Sequence, residues 1–239
     1  MHHQKFLKRM AKKNTANEDR MVAVEEALGK TEQFIEKNQK ILMYVVSAII
    51  IIVLAYFAYQ RLYISPMEKN AQDEIFMAQK YFDMDSLDRA LNGDGNALGF
   101  LDVIDEYGRT KTGNLARYYA GICYLRMGDF EQAIDYLEDY DPVDQIIGPM
   151  ALGALGDAYL ELNEPDKAVD YYVDAAEENI NDFTTPMFLY KAGMTYEILG
   201  DYETALEVYD RIYREFYRSA EGKTVERNIA KMKGLLGKE

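Results

Sequence analysis

The stretch GDFEQAIDYL, residues 128–137, returns as GDYETALEVY at 200–209 and, more loosely, as NEPDKAVDYY at 163–172. Upstream, Ala120-Gly121 with Tyr124, Leu155-Gly156 with Tyr159, and Ala192-Gly193 with Tyr196 precede their phrases by the same distance, and each phrase holds one small residue, Ala133, Ala168 or Ala205. The periods are 35 and 37 residues. Glycine inside a helix costs about 1 kcal/mol against alanine, so Gly121, Gly156 and Gly193 need a compensating contact. With Ala133, Ala168 and Ala205 opposite them, paired helices are expected to approach toward the short end of the range of roughly 8–10 Å. Gly128 and Gly200 suit the left-handed residue that ends a helix, and Asn163 is the next most tolerant type there. Asp129 and Asp201 then offer N-cap carboxylates to the following helix, and Pro165 fits its first turn, where a missing N–H is harmless. A helix pair of this kind cannot bury its apolar face alone, and stacking similar pairs builds one core.

This pattern resembles the tetratricopeptide repeat, a helix-turn-helix whose first helix carries apolar-Gly-x-x-Tyr and whose second carries Ala-x-x-x-aromatic. The expected fold is all-α: one N-terminal transmembrane helix followed by a tetratricopeptide-repeat α-solenoid of about three full repeats, an irregular leading unit and a C-terminal capping helix. The leading unit reads as a helix around Met67 to Met84, a polar insert, and a second helix over Ala97 to Tyr107 with Leu101 and Ile104 inward. The cap is TVERNIAKMKGLL, with Val225, Ile229, Met232 and Leu236 on one face at helical spacing.

Residues 41–59, ILMYVVSAIIIIVLAYFAY, are apolar apart from Ser47 and the tyrosine hydroxyls. Nineteen helical residues rise about 28 Å, close to the roughly 30 Å of a hydrocarbon core. Eleven of the residues are Ile, Leu, Val or Phe, which favours insertion by roughly 3 to 7 kcal/mol. The run follows forty residues and lacks a small-x-small exit, so an uncleaved signal anchor is expected rather than a signal peptide. The organisation is therefore 1–40 as a basic tail with a juxtamembrane helix, 41–61 as the span, and 62–239 as the repeat domain. Residues 1–40 hold nine Lys or Arg against six Asp or Glu, whereas 61–239 hold eighteen against thirty-five. The positive-inside rule leaves the tail in the cytoplasm and carries the acidic domain across the membrane. In the tail, residues 1–17 are expected to be disordered, and Met21, Val24, Leu28 and Ile35 form one stripe of a helix that suits either a partner contact or the membrane surface.

An acidic domain repels phosphate backbones, which argues against nucleic-acid binding. Both histidines, His2 and His3, sit in the tail, so the folded part has no histidine for acid–base chemistry or metal ligation. Cys123 is the single cysteine, which rules out an intrachain disulfide and a cysteine metal cluster. The insert DMDSLDRALNGDGNALGFLD fails a calcium reading: if Asn92 starts the loop, Ala97 stands where Gly is needed and Val103 where Glu is needed. NGDG and YGRTKTG lack the ending of a phosphate loop. No enzyme activity, cofactor or small-molecule substrate is expected, and binding of protein remains.

The repeat resemblance implies a concave groove lined by the first helix of each pair. Carried over from each glycine, its positions are Leu115, Tyr118, Ile122, Leu125 and Arg126; then Met150, Gly153, Asp157, Leu160 and Glu161; then Met187, Tyr190, Met194, Glu197 and Ile198. Only Arg126 among them suits a clamp for a C-terminal carboxylate. Methionine thioethers and tyrosine rings suit varied apolar segments, although such a stripe also packs cores.

The order of basic tail, single span and acidic repeat domain resembles the YfgM-type ancillary subunits of the bacterial Sec translocon, with FIEKNQKIL, residues 34–42, as the most specific patch. The long tail and the insert at Asp83 to Asn96 depart from that family's pattern. The resemblance implies a single-pass protein of the bacterial inner membrane, its N-terminus cytoplasmic and its C-terminal domain periplasmic. Its implied partners are translocon subunits, the membrane-anchored chaperone PpiD, and unfolded or apolar client segments. Other classes that fit the pattern are a scaffold for another envelope complex and a cytosol-facing import receptor, the latter in the opposite orientation.

Overall fold

The computed structural model describes residues 36–238, so the basic tail and the stripe of Met21, Val24, Leu28 and Ile35 lie outside the described residues. All regular structure among the described residues is helical. The chain divides into two units, Met1–Tyr63 and Ile64–Glu239. Helical residues run from Glu36 to Asp83, long and apolar enough to cross a membrane, with a five-residue π turn at Gln60–Ile64. In the first unit the apolar side chains, such as Ile51, Leu54 and Phe57, are exposed.

The second unit contains ten helices: α1 (Ser65–Asp83), α2 (Leu87–Asn92), α3 (Phe100–Tyr107), α4 (Lys111–Met127), α5 (Phe130–Glu138), α6 (Ile147–Glu161), α7 (Pro165–Glu178), α8 (Thr184–Leu199), α9 (Tyr202–Glu215) and α10 (Glu226–Leu236). The three phrases form the turns α4–α5, α6–α7 and α8–α9, each with the same wiring. Gly128, Asn163 and Gly200 have φ of 82°, 61° and 79°. The next residue's N–H donates five residues back, Asp129 to Tyr124, Glu164 to Tyr159 and Asp201 to Tyr196, at 3.0, 2.9 and 3.0 Å, which satisfies carbonyls the helix end leaves free. Asp129 and Asp201 accept from the N–H of Gln132 and Thr204, and Pro165 opens α7.

The glycines answer to a different neighbour from the one their spacing predicts. A Cβ on Gly121, Gly156 or Gly193 would stand 2.5 Å from Leu137, 2.6 Å from Tyr172 and 2.5 Å from Tyr209, while Ala133 and Ala168 offer only their carbonyls, at 3.2 and 3.1 Å. The gap is filled by a large side chain one turn beyond the alanine. Ala133, Ala168 and Ala205 are fully buried. Tyr124 stacks on Tyr136 at 5.4 Å and Tyr159 on Tyr171 at 5.3 Å, so the repeated tyrosine of the first helix also packs within its own pair.

Each core region joins one pair to the next. Ala133, Ile134, Leu137 and Tyr140 meet Ala151, Ala154, Leu155 and Ala158, and a longer cluster runs from Ala168 in α7 to Val225 and Met232 at α10. Ile229 and Leu236 pack against that cluster, so α10 caps the array as its periodicity predicts. The leading unit differs in detail. Its second helix starts at Phe100 rather than Ala97, and Phe100 and Val103 are the fully buried residues, with Leu101 and Ile104 half-buried. The cause is Gly99, whose Cβ would lie 2.1 Å from the Leu91 carbonyl: the chain doubles back on α2, a helix hidden in the polar insert, and buries its Ala90 and Leu91. Asp94 holds the loop between them, accepting from the N–H groups of Asn96 and Ala97 and from the Tyr81 hydroxyl at 2.6 Å.

Two substitutions separate crowding from propensity. Gly156→Ala must displace the Tyr172 ring and is expected to destabilise by about 1–3 kcal/mol. Gly234→Ala, whose Cβ would meet nothing within 4 Å, is expected to stabilise by up to about 1 kcal/mol. Guanidinium unfolding midpoints of the two variants check the sign of each.

Candidate polypeptide-binding face

The predicted groove residues lie on α4, α6 and α8 as expected, but the structure sorts them into three clefts and a packed remainder. Leu115 joins Ile75, Gln72, Lys111 and Ile147 around a cleft of about 400 Å³ between α1, α4 and the start of α6. Leu125, Arg126, Asp157, Leu160 and Glu161 converge with Phe130 around one of about 470 Å³, where α4 ends. Tyr190, Met194, Glu197 and Ile198 line a third, about 400 Å³, against Asn228 and Lys231 of α10. Tyr118 and Ile122 are half-buried against the α5–α6 core, and Tyr118 lies 5.8 Å from Tyr140. Burial pushes the Tyr118 hydroxyl up to about 12, so it stays neutral. Met150 and Met187 pack on the C-terminal core, and Gly153 is covered by Phe188, whose ring lies 1.8 Å from where its Cβ would be.

Three of the four charged candidates, Arg126, Asp157 and Glu197, are engaged inside the molecule, whereas Glu161 is exposed. Arg126 pairs with Asp85 at 2.6 Å and lies 5.2 Å over the Phe82 ring. Asp157 accepts from the Tyr172 hydroxyl at 2.6 Å and from Lys191 Nζ at 2.6 and 2.7 Å. Glu197 repeats this arrangement, accepting from the Tyr209 hydroxyl at 2.8 Å and pairing with Lys231. Each carboxylate thus ties its own pair to the next first helix. Tyr172 and Tyr209 are the tenth letters of their phrases, and the acid–lysine pairs are both 34 residues apart. That spacing, close to one repeat period, was the available signal for Lys191 and Lys231, which groove mapping from the glycines passes over.

Burial alone would raise the Glu197 carboxyl, but hydrogen bonds from Lys231 and Tyr209 prevail and hold it below its ordinary value of 4.5. Charge is also segregated by helix. The second helices α3, α5, α7 and α9 carry fifteen acids and three bases, whereas α1, α4, α6, α8 and α10 carry eight acids and nine bases. The first helices together are close to neutral and keep Met127, Met194 and Ile198 exposed at 50%, 47% and 63%.

This architecture is that of tetratricopeptide repeats. Residues 153–220 and 115–140 each match a tetratricopeptide-repeat family model. Two solved structures of nearly identical TPR-like repeats from a candidate kinesin light chain of Podosopora anserina superpose with a TM-score of 0.54, over 71% of this chain and 88% of theirs. At 11% identity that likeness concerns the fold alone. No curated protein matches the sequence.

Lys191→Met leaves Asp157 with one partner and is expected to cost about 1 kcal/mol in denaturant unfolding. For Glu197 the native pKa is depressed, so its stabilisation is complete above the unfolded value and is lost as pH falls through the native one. Amide exchange in α10 is expected to accelerate below about pH 4, and Lys231→Met should largely remove that pH dependence.

Proposed function

We propose that this protein is a membrane-anchored tetratricopeptide-repeat subunit that holds unfolded or apolar polypeptide beside the protein-translocation machinery, without chemistry of its own. The apolar helix is the anchor, with the basic tail in the cytoplasm and the repeat domain in the periplasm of a bacterial inner membrane. Translocon subunits and a PpiD-like chaperone are its partners, in line with the resemblance of its tail, span and repeats to the YfgM type. One observation carries the binding role: the first helices present exposed methionine and isoleucine beside clefts in which Arg126, Asp157 and Glu197 are already paired within the chain. Such a surface rewards apolar contact and leaves few free charges to select among clients, as a promiscuous binder requires. The acidic second helices keep the domain soluble and repel nucleic acid.

Met194→Glu with Ile198→Glu tests the assignment, because both side chains are exposed and the fold tolerates the change. Crosslinking of the full-length protein to a translocating nascent chain is expected to fall about tenfold. Unchanged crosslinking in a variant of full helicity would remove these clefts from the binding face.

A further inference from the structure

The connections that lead from one repeat into the next share one edge of the array. Glu68, in the first turn of α1, accepts from the Thr112 N–H at 3.1 Å and hydroxyl at 2.8 Å, in the first turn of α4. Two residues on, Asn114 exchanges hydrogen bonds of 2.9 and 2.7 Å with the backbone of Asp141, in the α5–α6 connection. Helices α6 and α7 run antiparallel, with Lys167 over the Tyr159 ring next to the turn and the Tyr172 ring against Gly156 further from it, so the α7–α8 connection lies at the same end. Asp182 of that connection and Phe216 to Ser219 of the α9–α10 connection line one opening. The edge therefore gathers the amino-terminal ends of α1, α4, α6, α8 and α10.

Five large apolar side chains project from these connections into solvent: Val143, Ile146, Ile180, Phe183 and Tyr217, between 45% and 64% exposed. The turns at the opposite edge, within repeats, expose Met84 alone among large apolar residues. Charge follows the same division. The opposite turns hold Asp85, Asp94, Asp129, Glu164 and Asp201 and no base of their own, although Arg126 and Lys167 of the adjoining helices pair with Asp85 and Glu164, whereas the inter-repeat connections set Arg109, Arg218 and Lys223 against five acids. One of those five, Asp144, is engaged in capping α6 through the N–H groups of Ile146 and Ile147 at 2.8 and 2.6 Å. The repeat unit also begins at this edge, at Ile64, immediately after the apolar helix.

We infer that the inter-repeat edge is a lipid-contact surface, its Ile146, Ile180, Phe183 and Tyr217 side chains seated at the headgroup boundary of the bilayer that the apolar helix crosses. The inference rests on the membrane reading above. Aromatic and aliphatic side chains at that depth gain apolar contact while tyrosine hydroxyls stay wet. Anionic lipid repels the more acidic within-repeat turns and the acidic second helices, so electrostatics and apolar contact favour the same face.

The test uses the full-length chain with Cys123→Ala and single cysteines carrying an environment-sensitive fluorophore, in nanodiscs of phosphatidylethanolamine and phosphatidylglycerol. Labels at Ser47→Cys, Ile146→Cys, Phe183→Cys and Asp166→Cys report the span, the edge twice, and the opposite end. Lipid-borne doxyl groups are expected to quench 146 and 183 about threefold more than 166, with 47 quenched most. Adding Ile180→Glu and Phe183→Glu should return label 146 to the level of 166 at unchanged helicity. If 146 and 183 match 166 while 47 is quenched, the edge stands off the lipid and the inference falls although the span holds. If 47 itself is unquenched, the membrane reading falls and takes the inference with it. Protection at 146 and 183 that appears only on adding a partner membrane protein also overturns it, the edge then being a protein contact.

Discussion

The array depends on a missing Cβ. Where Gly121, Gly156 and Gly193 leave a hole in the first helix, Leu137, Tyr172 and Tyr209 of the second helix fill it. Two of these plugs are tyrosines, fully buried as rings yet long enough for their hydroxyls to emerge beside Asp157 and Glu197. The ring supplies apolar contact within a pair, and the hydroxyl orients a carboxylate that accepts a lysine from the next first helix. One packing decision therefore sets both the spacing inside a repeat and the link between repeats. Leu137 shows the contrast: it fills the same hole and has no hydroxyl to pass on, so the first pair joins its neighbour through Tyr118, Tyr140 and Ile134 instead.

The features legible in the sequence were those with a local cause. Left-handed residues, N-cap aspartates and Pro165 act within a few residues, and the backbone turn they make recurs in all three phrases, with Asn163 and Pro165 replacing the glycine and the capping aspartate in the middle one. The capping helix announced itself by a single stripe. What depends on distant contacts was harder to read. Small residues at matching places led to an expected glycine–alanine contact, although the volume is taken by the residue one turn further. The insert looked polar throughout, and only the buried pair Ala90 and Leu91 marks the helix inside it. The positions carried over from the glycines lie on α4, α6 and α8, but residue type alone does not separate Met194, exposed, from Met150 and Met187, packed. Nor does a charge at a groove position announce that its partner sits one repeat away.

The acidity of the chain has an address. Fifteen carboxylates on the second helices leave the first helices nearly balanced, and Arg126, Asp157 and Glu197 are matched internally. Repulsion between the second helices is relieved in part by pairs of one-repeat spacing, Arg211 with Glu177 and, at the end of the array, Lys238 with Glu203. Exposed pairs of this kind add little stability each, so their value lies in permitting one acidic surface while the stack stays closed.

For a domain held next to a negatively charged leaflet, that segregation has a physical consequence. At physiological ionic strength a surface charge is felt over about 8 Å, less than the width of a helix pair, so only the nearest face of the array responds. An evenly acidic domain would be pushed away in every orientation and would present its groove at random. With acids concentrated on one set of helices and on the within-repeat turns, rotation toward the inter-repeat edge relieves most of the repulsion. On the proposed reading the groove-side helices then stand upright beside the membrane, their near-neutral surface open along its length to a segment leaving the bilayer.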